Sequence, residues 1–290
     1  MLRNKMIQRI VRMYPFEKGY YRLANAMLKF TVPATEEIPD LHGKFRFKID
    51  LSSGCLQREK FLFFAKNYEL PTQNYLKKSV KPGMTVLDVG AHTGFFTILF
   101  ADLVGEEGRV YSFEPCRRHV KLLKENISAN GLHWVNISPM ALSEKTGRAV
   151  LHLNPVNDGG HSLADLSDNR GLIGRNSNKL TEYIETTTLD KFVNEKGIRN
   201  IDVMKIDIEG AETLFLEGAV NTLSSGMVAK IICETGTQAQ RLMGKTERDL
   251  RNIFYSHGFR SYFIGETLSE FGPEQPVRRL SNILYTKEGL

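Results

Sequence analysis

The sequence predicts an α/β fold, with a mostly parallel sheet covered by helices on both faces. Three observations predict it. From residue 85 onward, short β-branched runs end in small or acidic residues and alternate with helical periods. Two closing strand candidates, FRSYFI (259–264) and NILYTK (282–287), have no helix between them, which suggests an antiparallel hairpin at one edge. The 290 residues are 41% hydrophobic and 25% charged, an ordinary globular composition that excludes dominant disorder and collagen-like repeats.

The elements follow in order. Residues 1–43 read as a basic helical extension, because Leu2, Met6, Ile10 and Met13 recur at helical spacing until Pro15 stops them. Residues 44–80 read as a strand-and-helix segment. KFRFKIDL (44–51) alternates polar and apolar side chains, a helical stretch follows before Tyr68, and Pro71 opens a short helix to about Val80. Lys81-Pro82-Gly83 is a turn that starts the main domain, 81–290. There TVLDVG (85–90) precedes a helix at 94–104, and RVYSFE (109–114) precedes one at 116–130. WVNISPM (134–140) runs to Ala141-Leu142. DVMKID (202–207) leads to a helix at 211–224, and AKIICE (229–234) to one at 239–257. With the closing pair these make seven strands. AVLHL (149–153) and EYIETT (182–187) flank an insertion at about 154–181, rich in Gly, Asn and Ser. A loop of that length is usually functional or mobile, and it reads as a substrate-side insertion.

The net charge of +6 is unevenly placed. Arg3, Lys5, Arg9, Arg12, Lys18, Arg22 and Lys29 face one acid, Glu17, in the first 30 residues, and the rest of the chain balances. A balanced body argues against nucleic acid as the partner. The basic arm suits an anionic membrane surface or a partner protein; the alternative is a helix that packs its apolar stripe on the main domain. No apolar run approaches the roughly 20 residues of a membrane-spanning helix, and no secretory signal is read at the start. Cys55, Cys116 and Cys233 form neither a disulfide framework nor a zinc spacing. The expected location is the cytoplasm, with peripheral contact at the inner face of the membrane as an option.

The strongest local signal is Asp88-Val-Gly90-Ala91-His92-Thr-Gly94, which ends a strand and opens a helix. Glycine there permits a tight turn and close approach of a ligand to backbone. Glu114 ends the next strand, 24 residues after Gly90, where a carboxylate can accept from both hydroxyls of a ribose. Together they describe a nucleoside crevice. The dinucleotide fingerprint and the Walker lysine are absent. An acid at Asp88 suits a cationic amino-acid portion, as S-adenosylmethionine has. The alternative is a glycine turn of some other α/β protein, with Glu114 a surface acid.

The chain resembles the FkbM-type family of S-adenosylmethionine-dependent methyltransferases from about Tyr68-Glu69 to Glu234. The resemblance rests on KPGMTVLDVGAHTGFFT (81–97), SFEP (112–115), ALSEKTG (141–147), GGHSL (159–163), TTTLDKFV (186–193), KIDIEGAE (205–212) and LEGA (216–219), in that order. His92 stands where the family more commonly has Asn. The resemblance implies a Rossmann-like class I methyltransferase fold. It implies Asp88, Gly90 and Gly94 at the methionine end, with Ala91, His92 and Asp207 also among the cofactor-binding residues. It further implies Glu114 on the ribose with Pro115 beside it, Ala141 and Leu142 near the adenine, and Glu69 closing over the cofactor. The acceptors implied are hydroxyls of sugars and natural products, with a glycan or glycolipid precursor favoured.

Methyl transfer to oxygen needs an in-line acceptor and a group that takes its proton. Strand alternation puts Lys205 and Asp207 on one face, with Asp207 at the ligand-binding end; Lys205 can also simply pair with it. Glu209 and Glu212 follow, open between chemistry and stabilising a helix start. Glu234 ends the neighbouring strand, so Asp207 and Glu234 can hold Mg²⁺ or a similar cation, which would lower the acceptor's pKa; Glu234 can equally position substrate. His161, in Gly-Gly-His-Ser, can act as general base, or be an exposed loop histidine. Ser162 can contact substrate. His42, His119, His133, His152 and His257 read as structural. Two other functions stay open: RNA methylation with the arm as a phosphate clamp, and a non-catalytic cofactor-binding scaffold.

Overall fold

The structure is a computed structural model that describes residues 2–12, 27, 30, 35–50, 68–154, 157–165, 180–235, 238–277 and 281–287. Helix α1 (Leu2–Arg12) is followed by strands β1 (Thr35–Leu41) and β2 (Phe45–Asp50). Helix α2 (Leu70–Ser79) precedes the alternation of β3 (Thr85–Val89), α3 (Phe95–Val104), β4 (Arg109–Phe113), α4 (Arg117–Ala129) and β5 (Val135–Ser138). Then come β6 (Ala141–Leu142), β7 (Gly147–Leu153), β8 (Leu180–Thr187), α5 (Leu189–Lys196), β9 (Ile201–Ile206), α6 (Glu212–Glu217), α7 (Val220–Ser224) and β10 (Val228–Thr235). The chain closes with α8 (Gln238–Leu242), α9 (Glu247–Ser256), β11 (Arg260–Ile264), β12 (Leu268–Phe271) and β13 (Ser281–Thr286).

Eight strands form the main sheet in the order β12-β11-β13-β10-β9-β3-β4-β5. β10, β9, β3, β4 and β5 are parallel, and β13 enters antiparallel between β10 and β11. The fold class is the one read from the sequence: a mostly parallel sheet between helical layers, with an antiparallel edge. The edge carries one strand more than the seven expected, since β12 folds back on β11. Alternation along the central strands divides the core. Val86, Val110, Val203 and Ile232 pack with α2, α3 and α4 on one face; Leu87, Phe113, Met204 and Ile231 pack with α5, α6, α7 and α9 on the other. The order reverses between β3 and its neighbours β4 and β9, which opens a crevice at the tips of those strands.

Two helical expectations divide. The stretch 211–224 breaks into α6 and α7 at Gly218, where a Cβ would lie 2.0 Å from the Ser143 carbonyl oxygen. The stretch 239–257 breaks before α9, whose start is capped reciprocally by Thr246 and Asp249. WVNISPM also divides: β5 stays in the main sheet, and β6 joins a three-stranded sheet β6-β8-β7 beside it. The helical stretch expected before Tyr68, and most of the insertion, lie outside the described residues.

The extension 1–43 is not wholly helical. β1 pairs antiparallel with β2, turning through His42 and Gly43, both at positive φ. TEEIPDL hides its strand character because Pro39 interrupts it. The pairing slips between Ile38 and Leu41, a bulge that accommodates a residue without an N–H. In α1 the stripe expected to pack is the exposed one: Leu2, Met6 and Ile10 face solvent, while Asn4, Ile7 and Val11 are buried. Asn4 Nδ2 donates to Glu36 Oε1 at 3.1 Å, fastening the helix to β1.

One side chain ties the hairpin to the crevice. Asn126 on α4 accepts from Lys48 N (2.7 Å) and donates to Lys48 O (3.0 Å) and Thr93 O (2.8 Å). Asn130, one turn on, makes the same paired contact with the Arg46 backbone, nearer solvent. Replacing buried Asn126 by Ala strands three backbone groups and should cost about 3 kcal/mol. Asn130→Ala should cost about 1 kcal/mol or less, since water reaches its partners. Chemical denaturation of the two variants measures both, and equal losses would contradict this reading.

Candidate active site

The tips of β3, β4 and β9 meet at Gly90. Its φ is +89°, and a Cβ there would lie 1.9 Å from the Asp207 carbonyl oxygen. Only glycine fits a left-handed turn in that contact. The Gly90 and Ala91 amides both donate to Phe113 O at 2.9 Å. His92, at φ +52°, then presents its amide to Glu114 Oε2 at 2.8 Å. A cleft enclosing about 610 Å³, open solvent at its mouth included, runs from Glu114 past Gly90 to Asp207 and Glu209.

At one end stands Glu114, 6% exposed. Besides the His92 amide it accepts from Cys116 N (2.9 Å) and His119 Nδ1 (3.3 Å), both at Oε1. Burial pushes its pKa up, but the His119 contact and the two amides outweigh that, so the carboxyl is held below the usual range. Met140, Ala141, Leu142 and Leu151 form an apolar wall beside it. The loop 157–165 covers this end through a bridge between Ser162 and His152 of β7. Asp158 there is 3% exposed and meets the Arg118 guanidinium as well as His119 Nε2, 3.2 Å away.

At the other end acids gather. Donor oxygens of Asp207, Glu209 and Glu234 lie within 4.8 Å of one another. Beneath them Lys205, 1% exposed, places Nζ 2.9 Å from Asp207 Oδ2 and 4.5 Å from the centre of the Phe96 ring. Burial works against its charge, and the carboxylates of Asp207, Glu69, Glu234 and Asp88 outweigh it, so the lysine pKa is raised. Glu234 is pushed well up by burial and then by Asp207 and Glu209. Glu212, buried at the start of α6, accepts from Gly210 N at 2.9 Å, and burial lifts it to about 7.

The methyltransferase FkbM domain model matches residues 88–261. The chain belongs to the FkbM methyltransferase family. It is 31% identical over 155 residues, half of this chain, to the 2-O-methyltransferase NoeI of Sinorhizobium fredii. It is 38% identical over 92 residues, 32% of this chain, to protein-L-isoaspartate O-methyltransferase 1 of Arabidopsis thaliana. The matches span 60% and 35% of those two proteins. Among solved structures, a SAM-dependent O-methyltransferase from Thermotoga maritima superposes with a TM-score of 0.42 at 15% identity, covering 91% of this chain and 81% of that one. Among the described residues no helix is long and apolar enough to cross a membrane.

FkbM methyltransferases use S-adenosylmethionine, and the cleft offers a carboxylate acceptor beside an apolar wall. Glu114 keeps acceptor capacity on Oε2, so it could hold hydroxyls of a ribose, and the wall beside it is apolar. Gly90, His92, Glu114, Pro115, Ala141, Leu142, Asp207, Glu209 and His161 all line this cleft. Other residues singled out in the sequence lie behind it. Asp88, 2% exposed, accepts from Thr97 Oγ1 at 2.6 Å beneath the glycine turn. Glu69 Oε2 accepts from Asn282 Nδ2 at 2.8 Å. Ala91 is buried within the turn, and Gly94 caps α3. His161 sits at the Glu114 end of the cleft: its ring stacks on His119 with centroids 5.0 Å apart. Burial lowers it to about 4, so it stays neutral near pH 7. Ser162 Oγ donates to the Glu209 carbonyl at 2.6 Å and joins the two ends. Sequence reasoning misses His119, Asp158 and Arg118. No motif spacing marks them, because Asp158 reaches α4 only once the insertion folds back.

Proposed function

We propose that this chain transfers a methyl group from S-adenosylmethionine to a hydroxyl of a sugar, glycolipid or natural-product acceptor. The observation that carries this reading is the acid cluster of Asp207, Glu209 and Glu234, of which Asp207 and Glu209 line the same cleft as Glu114. When bound, the cofactor supplies an electrophilic methyl on a sulfonium. Glu114 binds the ribose hydroxyls, and the Met140–Leu142 wall excludes water from the base. Asp207, pinned by Lys205, accepts the hydrogen of the acceptor hydroxyl and fixes its oxygen in line. As the new O–C bond forms and the S–C bond breaks, the hydroxyl proton passes to the carboxylate cluster. The likeness to a protein named as a 2-O-methyltransferase supports oxygen as the acceptor atom.

A divalent cation shared by Asp207, Glu209 and Glu234 is a second reading, favoured by the spacing of their oxygens. Incubation with methyl-labelled cofactor and a glycan and lipid extract, followed by mass spectrometry, tests both. We expect a product labelled on oxygen, and Asp207→Ala should lower turnover at least about 1000-fold, the scale of lost acid–base help, while leaving cofactor affinity within a few-fold. Full turnover in that variant would remove the mechanism. Activity that survives chelation would remove the cation.

The outward stripe of α1 supports peripheral contact with an anionic lipid surface. Leu2, Met6 and Ile10 are exposed beside Arg3, Lys5 and Arg9, so apolar and basic groups share the free face. Sedimentation with vesicles should retain the protein on phosphatidylserine and not on neutral lipid. Replacing the three apolar residues by Ser should release it; unchanged retention would contradict the reading.

A further inference from the structure

Buried and 2% exposed, His119 has a carboxylate on each ring nitrogen. Nδ1 faces Glu114 Oε1 at 3.3 Å, and Nε2 faces Asp158 Oδ2 at 3.2 Å. A neutral imidazole carries one N–H, and Nε2 approaches Asp158 at ion-pair distance without a hydrogen bond, so that approach is attractive only when Nε2 is protonated as well as Nδ1. We propose that His119 is a positioning residue, an imidazolium that clamps the insertion segment 157–165 to Glu114, so that cofactor affinity depends on its charge. The proposal rests on the cofactor reading above and adds to it how the insertion is coupled to the site.

The surroundings support an imidazolium. Burial alone would lower the His119 pKa, but Asp158, Cys116 and Glu114 outweigh it and raise it well above an ordinary histidine. Asp158 is correspondingly held low, burial being outweighed by His119, Arg118 and His161. The groups facing the ring are Glu114 from the end of β4, Cys116 and Arg118 from the start of α4, His92 from the glycine turn, and Asp158 and His161 from the insertion. Glu114 and Asp158 bring two buried negative charges, and Arg118 is shared between Asp158 and Asp50 nearer solvent, so a protonated His119 supplies the buried positive charge between the two carboxylates. His92 Nε2 also lies 3.8 Å from Asp158 Oδ2. The Arg118 guanidinium donates to that same oxygen, so the chain itself supplies the cation there.

Geometry gives the clamp its function. Glu114 Oε1 is taken by Cys116 N and His119, which leaves Oε2 as the oxygen with capacity for ribose. Loss of the imidazolium proton would leave two buried carboxylates facing one neutral ring, and the cheapest relief is to let Asp158 swing away. Segment 157–165 would go with it, and with it the Ser162 tie to Glu209. A raised folded-state pKa means the interaction is complete at neutral pH and is lost as pH rises through that value.

Two measurements test this together. Calorimetry with S-adenosylhomocysteine from about pH 6 to about pH 10 should show level affinity through neutral pH and a decline only on the alkaline side, with no step near the usual histidine value of about 6.5. His119→Gln should bind about tenfold more weakly at neutral pH, within the usual range for coupled sites, and lose the alkaline decline. His119→Gln with Asp158→Asn should recover most of the loss, because charge balance returns. Nitrogen-15 spectra of the histidine rings should show His119 doubly protonated at neutral pH with or without ligand. A neutral His119 ring overturns the clamp whatever the ligand does, as does zinc that copurifies one-to-one and disappears in His119→Gln. Wild-type affinity and pH profile in His119→Gln overturn it too. A doubly protonated ring in a protein that binds no S-adenosylhomocysteine sinks the cofactor reading, and the coupling with it.

Discussion

The carboxylate of Glu114 is the constraint on which the site depends. It stands at the tip of β4 and takes an amide from the glycine turn after β3, an amide from the start of α4, and the His119 ring. Those partners come from two elements, the glycine turn and α4. One buried anion therefore fixes how β3, β4 and α4 converge, and it does so with hydrogen bonds to a charged group, which are the strong ones. The turn can reach it because Gly90 brings its backbone against the Asp207 carbonyl. That contact, in turn, sets the acidic end of the cleft next to the Glu114 end.

Buried charge is arranged in two groups, each built around a cation. Lys205 lies among Asp207, Glu69, Glu234 and Asp88; His119 and Arg118 lie between Glu114 and Asp158. An uncompensated ion inside a protein costs several kcal/mol, so each group is stable only as a whole. The two differ in what they leave open. Around Glu114 nearly every oxygen is occupied by the chain. Around Asp207 the acids outnumber the lysine, which is why Glu234 is pushed toward its protonated form. Under the proposed function, an excess of carboxylate that can take up a proton suits hydroxyl methylation, and a carboxylate with one oxygen held by the chain and capacity left on the other suits ribose binding.

Much of the fold and of the cleft is legible in the amino-acid sequence. Short apolar runs ending in Asp88-Val-Gly90, Glu114 and Asp207 locate three parallel strands and their tips, because burial on both faces leaves near-continuous apolar sequence. What escapes such a reading is decided by contacts between distant segments. Pro39 disguises β1, and its bulge is visible only against β2. Gly218 looks like a tolerable helix glycine until the Ser143 carbonyl stands against it. Alternation puts Asp88 at a strand end but does not say that Thr97 holds it under the turn. In α1 two apolar stripes compete, Leu2-Met6-Ile10 and Ile7-Val11, and burial against the neighbouring hairpin selects the second. His119 gives no sequence signal, since its second carboxylate comes from across the insertion.

Titration of S-adenosylhomocysteine into the pure, folded protein and its Glu114→Gln variant tests the central claim most directly. Glu114 should account for binding: the wild type takes up one equivalent, and the variant, still folded by heat denaturation, binds at least about tenfold more weakly after losing charge-assisted bonds to ribose. Equal affinity in the two proteins would contradict the account.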